Sequence, residues 1–499
     1  MKKFTFYIVS AVILVFSRIS FANLINVPED VQTIQGAIDM SVDGDTVLVA
    51  PGRYFENINF KGRNILVTSH FMISGSREDI YNTIIDGSQP LHPDTTSCVL
   101  IVNGETRDAV LQGFYITRGK GTKWVDEHGA GTYVEGGGIL ITFSSPTVKY
   151  NVIINNEAVR AGGDVVSAGG GAIRCGDGSP LIANNIIENN KGLYGGGIVM
   201  NYASGVIKNN IIKNNQVILR GATPTFGGGG IWIYSEGPVI VENNTIIGNS
   251  SLGFGDSPAG KGGGMVIWNA QAKVYNNILW SNTQNTGNQL LSYAALSTVE
   301  FNDIQDGFNG EGNISIDPVF LDGTYYLDSS SPCIDAGNPD PEYNDPEDDG
   351  SPGSALWPAK GNLRNDIGAY GGPLCSVVED VPTSADDIGS TLPADFTLGQ
   401  NYPNPFNPST TIKYSIPVNS RQYALGSPQN PASSNRQPVS VSLKVYNILG
   451  KEAAVLVNKQ QQPGTYEVNF DAGNLASGTY FYRLTAGGYT SVKKMLLLR

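Results

Sequence analysis

One pattern recurs five times between residues 139 and 282: a glycine run, two apolar residues spaced by one, a second apolar stretch, and asparagines five residues apart. The first apolar residue after each glycine run is Ile139, Ile173, Ile198, Ile231 or Met265, and two residues on stand Ile141, Cys175, Met200, Ile233 and Ile267. Nine residues after the anchor come Val148, Ile182, Ile207, Ile240 and Val274, followed by Asn151, Asn185, Asn210, Asn244 and Asn277. Two residues past each asparagine lie Ile153, Ile187, Ile212, Ile246 and Leu279; five past it lie Asn156, Asn190, Asn215, Asn249 and Asn282. Apolar residues spaced by two predict short strands with one buried face. Three such strands per repeat, separated by Gly, Pro and Asn, predict a coil with corners. Stacked coils give each strand a parallel neighbour above and below and enclose a continuous apolar core. Asparagine tolerates left-handed backbone, which suits a sharp corner, and stacked asparagines can hydrogen-bond up the ladder.

The anchors are 34, 25, 33 and 34 residues apart. The shortest step is the bare coil. The longer ones insert residues at one corner, at 157–169, 216–227 and 250–261, against 191–194 in the short coil; 120–135 is a longer counterpart. Insertions at one corner crowd one face, which is often the binding face. NTIIDG (82–87) and LQGFYITRG (111–119) read as earlier coils, and VEFNDIQDG (299–307) as a late one. Ile34, Ala37 and Ile38 have helical spacing, so Thr33–Ser41 is predicted as a short helix capping the open end.

Composition narrows the picture. Glycine is 61 of 499 residues and only 15% are charged, which suits a turn-rich β protein of more than one domain. A net charge of −13 argues against nucleic-acid partners. Lys2 and Lys3, the apolar run 6–16 and Ser20-Phe21-Ala22 predict a signal peptide cleaved after Ala22. No later stretch is long and apolar enough to span a bilayer. Cys98, Cys175, Cys333 and Cys375 permit disulfides in an exported chain; Cys333 with Cys375 is the preferred pair, and Cys175 falls on an inward position that equally suits a buried thiol. Near the end, TTIKYSI, VSLKVYN, TYEVNF and TYFYRL alternate and predict a small β-sandwich, interrupted by a polar insertion at 418–440.

The repeats, with the opening IQGAIDMSVDGDTVLVAPGRYFENI and the closing SPCIDAGNPDPEYNDPEDDG…RNDIGAYGGP, resemble right-handed parallel β-helix proteins of the pectin-lyase-like superfamily. LGQNYPNPFNPSTTIKYSIP and the strands after it resemble the type A C-terminal sorting domain of the type IX secretion system. The expected fold is therefore all-β: a right-handed parallel β-helix solenoid followed by a small Ig-like β-sandwich. The expected domains are a signal peptide 1–22, a β-helix 23–375, an acidic linker 376–393 and a sorting domain 394–499. The tail's resemblance implies the type IX secretion machinery as a partner and the outer cell surface or the medium as the destination.

The resemblance does not supply an activity, because this fold hosts lyases, hydrolases, adhesins and tailspikes. The Asn-Thr-Asp, Gly-His and Arg-Ile-Lys sets of the family's polygalacturonases are absent, and the only histidines are His70, His92 and His128. A lyase acting on an acidic glycan would need a basic group beside a neutralised uronate carboxylate. Candidates in the inserts are Lys123, Asp126, Glu127, His128, Arg160, Asp164 and Arg220. Alternation turns Trp232, Tyr234 and Trp268 outward, where flat faces could meet a sugar chain or lie covered by the inserts. An acidic run, Asp340, Glu342, Asp345, Glu347, Asp348 and Asp349 with Asp366 later, offers oxygens for Ca²⁺; Asp340, Asp345, Asp348 and Asp349 are the candidate ligands. The repeats account for themselves as architecture, so the favoured reading is an exported β-helix that binds polysaccharide or another extended ligand. A polysaccharide lyase and a structural surface protein or adhesin are the alternatives.

Overall fold

A computed structural model describes residues 22–376 and 397–498, apart from 220–225, 235–236, 254–259, 322, 402, 417–438, 449–450, 462–463 and 487–488. The predicted signal segment through 21, Arg220, most of the predicted linker and most of the 418–440 insertion lie outside the described residues. The chain divides into two compact units, 1–380 and 381–499.

The first unit is a solenoid of three long parallel sheets. The first sheet has eight strands, among them Ile139–Thr142, Ile173–Gly176, Ile198–Asn201, Ile231–Tyr234 and Met265–Trp268. The second has ten, from Leu24–Val27 to Leu296–Glu300, and the third nine, from Gly52–Tyr54 to Asp303–Ile304. Register follows the repeat: Ile139, Ile173, Ile198, Ile231 and Met265 pair in sequence up the stack. One position is corrected. Val241, not Ile240, pairs with Ile207 and Val274. The loop before it holds one residue more, so Val239 and Val241 face inward and Ile240 is left half-buried. The spacing also missed a fourth, two-residue strand in each of five consecutive coils, such as Lys191–Gly192 and Gln216–Val217, joined into a five-stranded sheet.

The asparagines do two jobs. At the corner between the second and third sheets, Asn151, Asn185, Asn210, Asn244, Asn277 and Asn302 lie inside. From Asn185 on, each accepts through Oδ1 from the backbone N–H and the side-chain amide of the asparagine one coil earlier, while Asn151, first in the row, accepts from Phe114 N at 3.1 Å; for Asn185 donating to Asn210 both distances are 3.0 Å. Asn190, Asn215, Asn249 and Asn282 repeat this at the corner after the third sheet, where Asn156, first in the row, accepts from Gly119 N. The left-handed backbone was assigned to the wrong residue. It belongs to the position before each ladder asparagine, as in Asn184 (φ 55°), Asn209 (φ 54°) and Asn243 (φ 51°). Each Asn-Asn pair thus bends on its first member and satisfies the interior with its second.

The predicted cap forms as Ile34–Met40. Thr33 Oγ1 accepts from Gly36 N at 3.0 Å, and the Glu56 carboxylate accepts from the N–H groups of Ile34 and Gln35. Ile34, Ala37 and Ile38 plug the core. After the last coil, the chain turns back and runs over the outer face of the third sheet. Tyr326, Ala369 and Tyr370 pack there on Val152, Ile186 and Ile211. This strap is held by the bend asparagines of the first corner. Asn243 Nδ2 donates to Asp366 O (2.9 Å) and Gly368 O (3.2 Å), Asn209 Nδ2 to Ala369 O (3.0 Å) and Gly371 O (2.7 Å), and Asn184 Nδ2 to Leu374 O (3.3 Å).

The second unit has antiparallel sheets of three and four strands. Strand Ser409–Ile416 alternates in burial, and Ile412, Tyr414 and Ile416 meet Val441, Leu443, Val445, Tyr482 and Leu484 in one core. The predicted strands form, together with Glu452–Gln461 and Tyr489–Leu497.

Asn210→Ala leaves Asn185 N and Ile182 O buried without their partner. At about 1–3 kcal/mol per orphaned group, it should destabilise the solenoid by about 3 kcal/mol in urea unfolding of the full chain. Asn210→Asp should fail similarly, because a carboxylate cannot donate.

Candidate functional site

The 120–135 insert is a hairpin. Gly121–Val125 and Thr132–Glu135 pair antiparallel, Thr122 with Glu135 and Val125 with Thr132, and sit between Thr95–Thr96 and Val165–Gly169 in a small sheet of their own. The hairpin is fastened to the outer face of the first sheet by Arg174, whose side chain is fully buried. Arg174 grips Glu127 bidentately, Nη1 to Oε1 at 3.1 Å and Nη2 to Oε2 at 3.0 Å, and its Nε stands 2.8 Å from Glu135 Oε2. Trp124 Nε1 donates to Glu127 at 2.7 Å, Thr142 donates to it too, and the Tyr194 hydroxyl donates to Glu135. Burial works against the charge of Glu127, yet the Arg174 guanidinium holds its carboxyl down at about 2. Burial pushes Glu135 up instead, against the pull of Arg174, and raises the Tyr194 phenol. This cluster is sealed from solvent and works as a clamp.

The fastening sets the hairpin tip beside a line of aromatic rings. His128 stacks on Tyr202 at 3.6 Å between centroids and places Nε2 3.0 Å from Asp177 Oδ1. Tyr202 meets Tyr234 edge-on at 5.5 Å. Tyr234, Trp268 and Tyr293 occupy one position on three consecutive strands of the first sheet, and Trp268 and Tyr293 stack at 4.2 Å. Tyr234 and Trp268 are half-buried, while Tyr293 is 52% exposed. Trp232 takes the covered alternative. It points outward but is only 5% exposed, because Tyr194 and Phe226 pack on it. Tyr202 and Tyr293 were missed by sequence reasoning, since Tyr202 lies just past its strand and Leu290–Tyr293 has no glycine run before it.

The other candidates do not join this line into one acid–base set. Asp126 is buried and accepts from the N–H groups of His128 and Ala130, both at 3.0 Å, shaping the hairpin turn. Lys123 Nζ pairs with Asp164 at 2.5 Å, and Arg160 pairs with Asp94 at 2.8 Å. Arg160 borders a concavity of about 350 Å³ with Pro90, Pro93, Thr96, Lys120, Glu157 and Val159.

The calcium candidates separate. Asp345 is buried and accepts from Gly372 N and Asp366 N, Asp348 accepts from Gly350 N, and Asp340 and Asp349 are exposed. Among the described residues no three His, Cys, Asp or Glu side chains gather to hold a metal. Cys333 and Cys375 are separate thiols rather than a disulfide: Cys333 Sγ lies 3.3 Å from Asp303 Oδ2 in the buried core. Cys175 is a buried thiol, pushed up to about 12 by burial.

Residues 69–279 match the family model of the right handed beta helix region, and 400–498 match that of the secretion system C-terminal sorting domain. No curated protein matches the chain.

Arg174→Met should strand two buried carboxylates and cost about 3–5 kcal/mol, read as a lower urea midpoint with early proteolysis of 121–135. A second expectation concerns pH. Burial lifts Asp345 to about 8 and Asp366 to about 7, helped by the charge of Asp366 on Asp345 and of Asp335 on both. A carboxyl raised in the folded state adds stability that is complete below its unfolded value of 3.8 and is lost as pH rises through the folded one. Hydrogen-exchange protection of 365–372, corrected for intrinsic rates, should therefore fall between about pH 4 and pH 8. Protection of the Asn185 and Asn210 amides should not.

Proposed function

We propose that this chain, a right-handed β-helix joined to a secretion-system sorting domain that marks it for export, binds a neutral polysaccharide outside the cell. The observation that carries the reading is the alignment of Tyr234, Trp268 and Tyr293 on consecutive strands, continued by Tyr202 and His128. Rings held one coil apart, about 4.8 Å, on an unyielding sheet present apolar faces with polar edges, as the C–H faces and hydroxyls of a sugar chain require. The scaffold is ordered before the ligand arrives, so little entropy is spent arranging the surface. A net charge of −13 favours a neutral glycan over a polyanion.

The lyase alternative needs an available base. Lys123 and Arg160 are each already engaged in an ion pair, with Asp164 and Asp94, which weighs against either as a free base.

Retention of the full chain on immobilised neutral glycans should drop about fivefold to tenfold for Trp268→Ala or Tyr293→Ala, at about 1 kcal/mol per lost ring contact. Lys123→Ala and Arg160→Ala should leave it unchanged. New reducing ends with unsaturated uronate absorbance, lost in Lys123→Ala or Arg160→Ala, would replace this reading with a lyase.

A further inference from the structure

The two asparagine corners are built alike and end differently. At the first, the bend residues Asn184, Asn209 and Asn243 are buried under the strap, their amides given to its backbone carbonyls. At the second, the bend residues on three consecutive coils are Asn155, Asn189 and Asn214, with φ of 56°, 54° and 56°. Identical backbone geometry projects their side chains outward in the same manner. Asn155 and Asn214 are exposed, and among the described residues neither side chain makes a hydrogen bond. Asn189 Nδ2 has one long contact, 3.4 Å, to Glu188 Oε1. The three line an open concavity of about 300 Å³ with Glu157, Lys191 and Gln216.

We propose that this second row is a docking site for a glycine-bearing polypeptide segment of a partner protein, seated as the strap is seated on the first. The molecule itself shows which ligand such a row accepts. An outward amide on every coil donates to backbone carbonyls of a segment crossing the coils. Glycine is required where that segment lies closest. A Cβ on Gly372 would stand 2.6 Å from Asn243 Oδ1, and one on Gly368 2.7 Å from Ile278 Cδ1. The lining residues include no aromatic platform, which separates this row from the surface proposed for glycan and favours peptide over sugar.

The probe is a fluorescein-labelled synthetic peptide with the strap sequence 363–374, LRNDIGAYGGPL, added to the full chain and followed by fluorescence anisotropy. Saturable binding is expected, weakened at least tenfold in the triple variant Asn155→Asp, Asn189→Asp, Asn214→Asp. Aspartate tolerates the left-handed bend but puts a carboxylate where the carbonyls need a donor. Asn214→Gly, which relieves rather than strains the bend, should also weaken binding while leaving the urea midpoint in place. A peptide with alanine for all three glycines should bind at least tenfold less well. No binding by the native chain, equal binding by the native and variant chains, or displacement of the peptide by a neutral oligosaccharide would overturn the proposal.

Discussion

A parallel coil that turns a corner must leave backbone groups pointing into its dry interior, and each needs a partner that belongs to the chain. The structure depends on how asparagine meets this constraint. One short side chain both donates and accepts, so Asn210 serves the carbonyls of Ile182 and Lys208 with its amide while its oxygen receives two donors from Asn185. A carboxylate would lack the donor and a hydroxyl the reach. The solution works only if the next coil offers the same residue at the same height. The repeat is therefore a chemical requirement before it is an evolutionary habit, and it extends to Asn302 and Asn313, where the glycine runs have already ceased.

That requirement explains why the fold was legible. The five repeats obey one local rule, so their alignment reveals the three main strands and both ladders. The failures were also local. Ile240 was misplaced by one residue because loop length, unlike strand register, is not fixed by the core. The bend was assigned to the ladder asparagine because both members of the pair are the same residue type, and only backbone geometry tells which one carries positive φ. The two-residue strands carry no alternation to read.

The candidate surface was less legible because it arises from segments distant in sequence. Alternation placed Tyr234 and Trp268 on the outer face correctly, but Trp232 is covered by rings from neighbouring coils, and covering depends on how the inserts fold. Nothing in the local sequence marks Arg174 as a fastening residue. Its importance lies in Glu127 and Glu135, carried to it by the hairpin. The charged residues singled out as a possible acid–base set are largely spent on this fastening or on surface pairs. Sequence proximity within the inserts reported shared loops rather than shared chemistry.

The returning strap has a mechanical consequence. Ser376 hydrogen-bonds Asn184 through its hydroxyl, so the described end of the first unit leaves from beside a middle coil and not from the last one. Tension applied there does not peel the solenoid from its end, turn by turn. It meets Asn184 first, then Asn209, then Asn243, and must strip the strap from each before the final coils bear load. The bend asparagines thus act as a row of rivets in series, and the terminal coils, the weakest part of any stacked fiber, are the last to feel the pull.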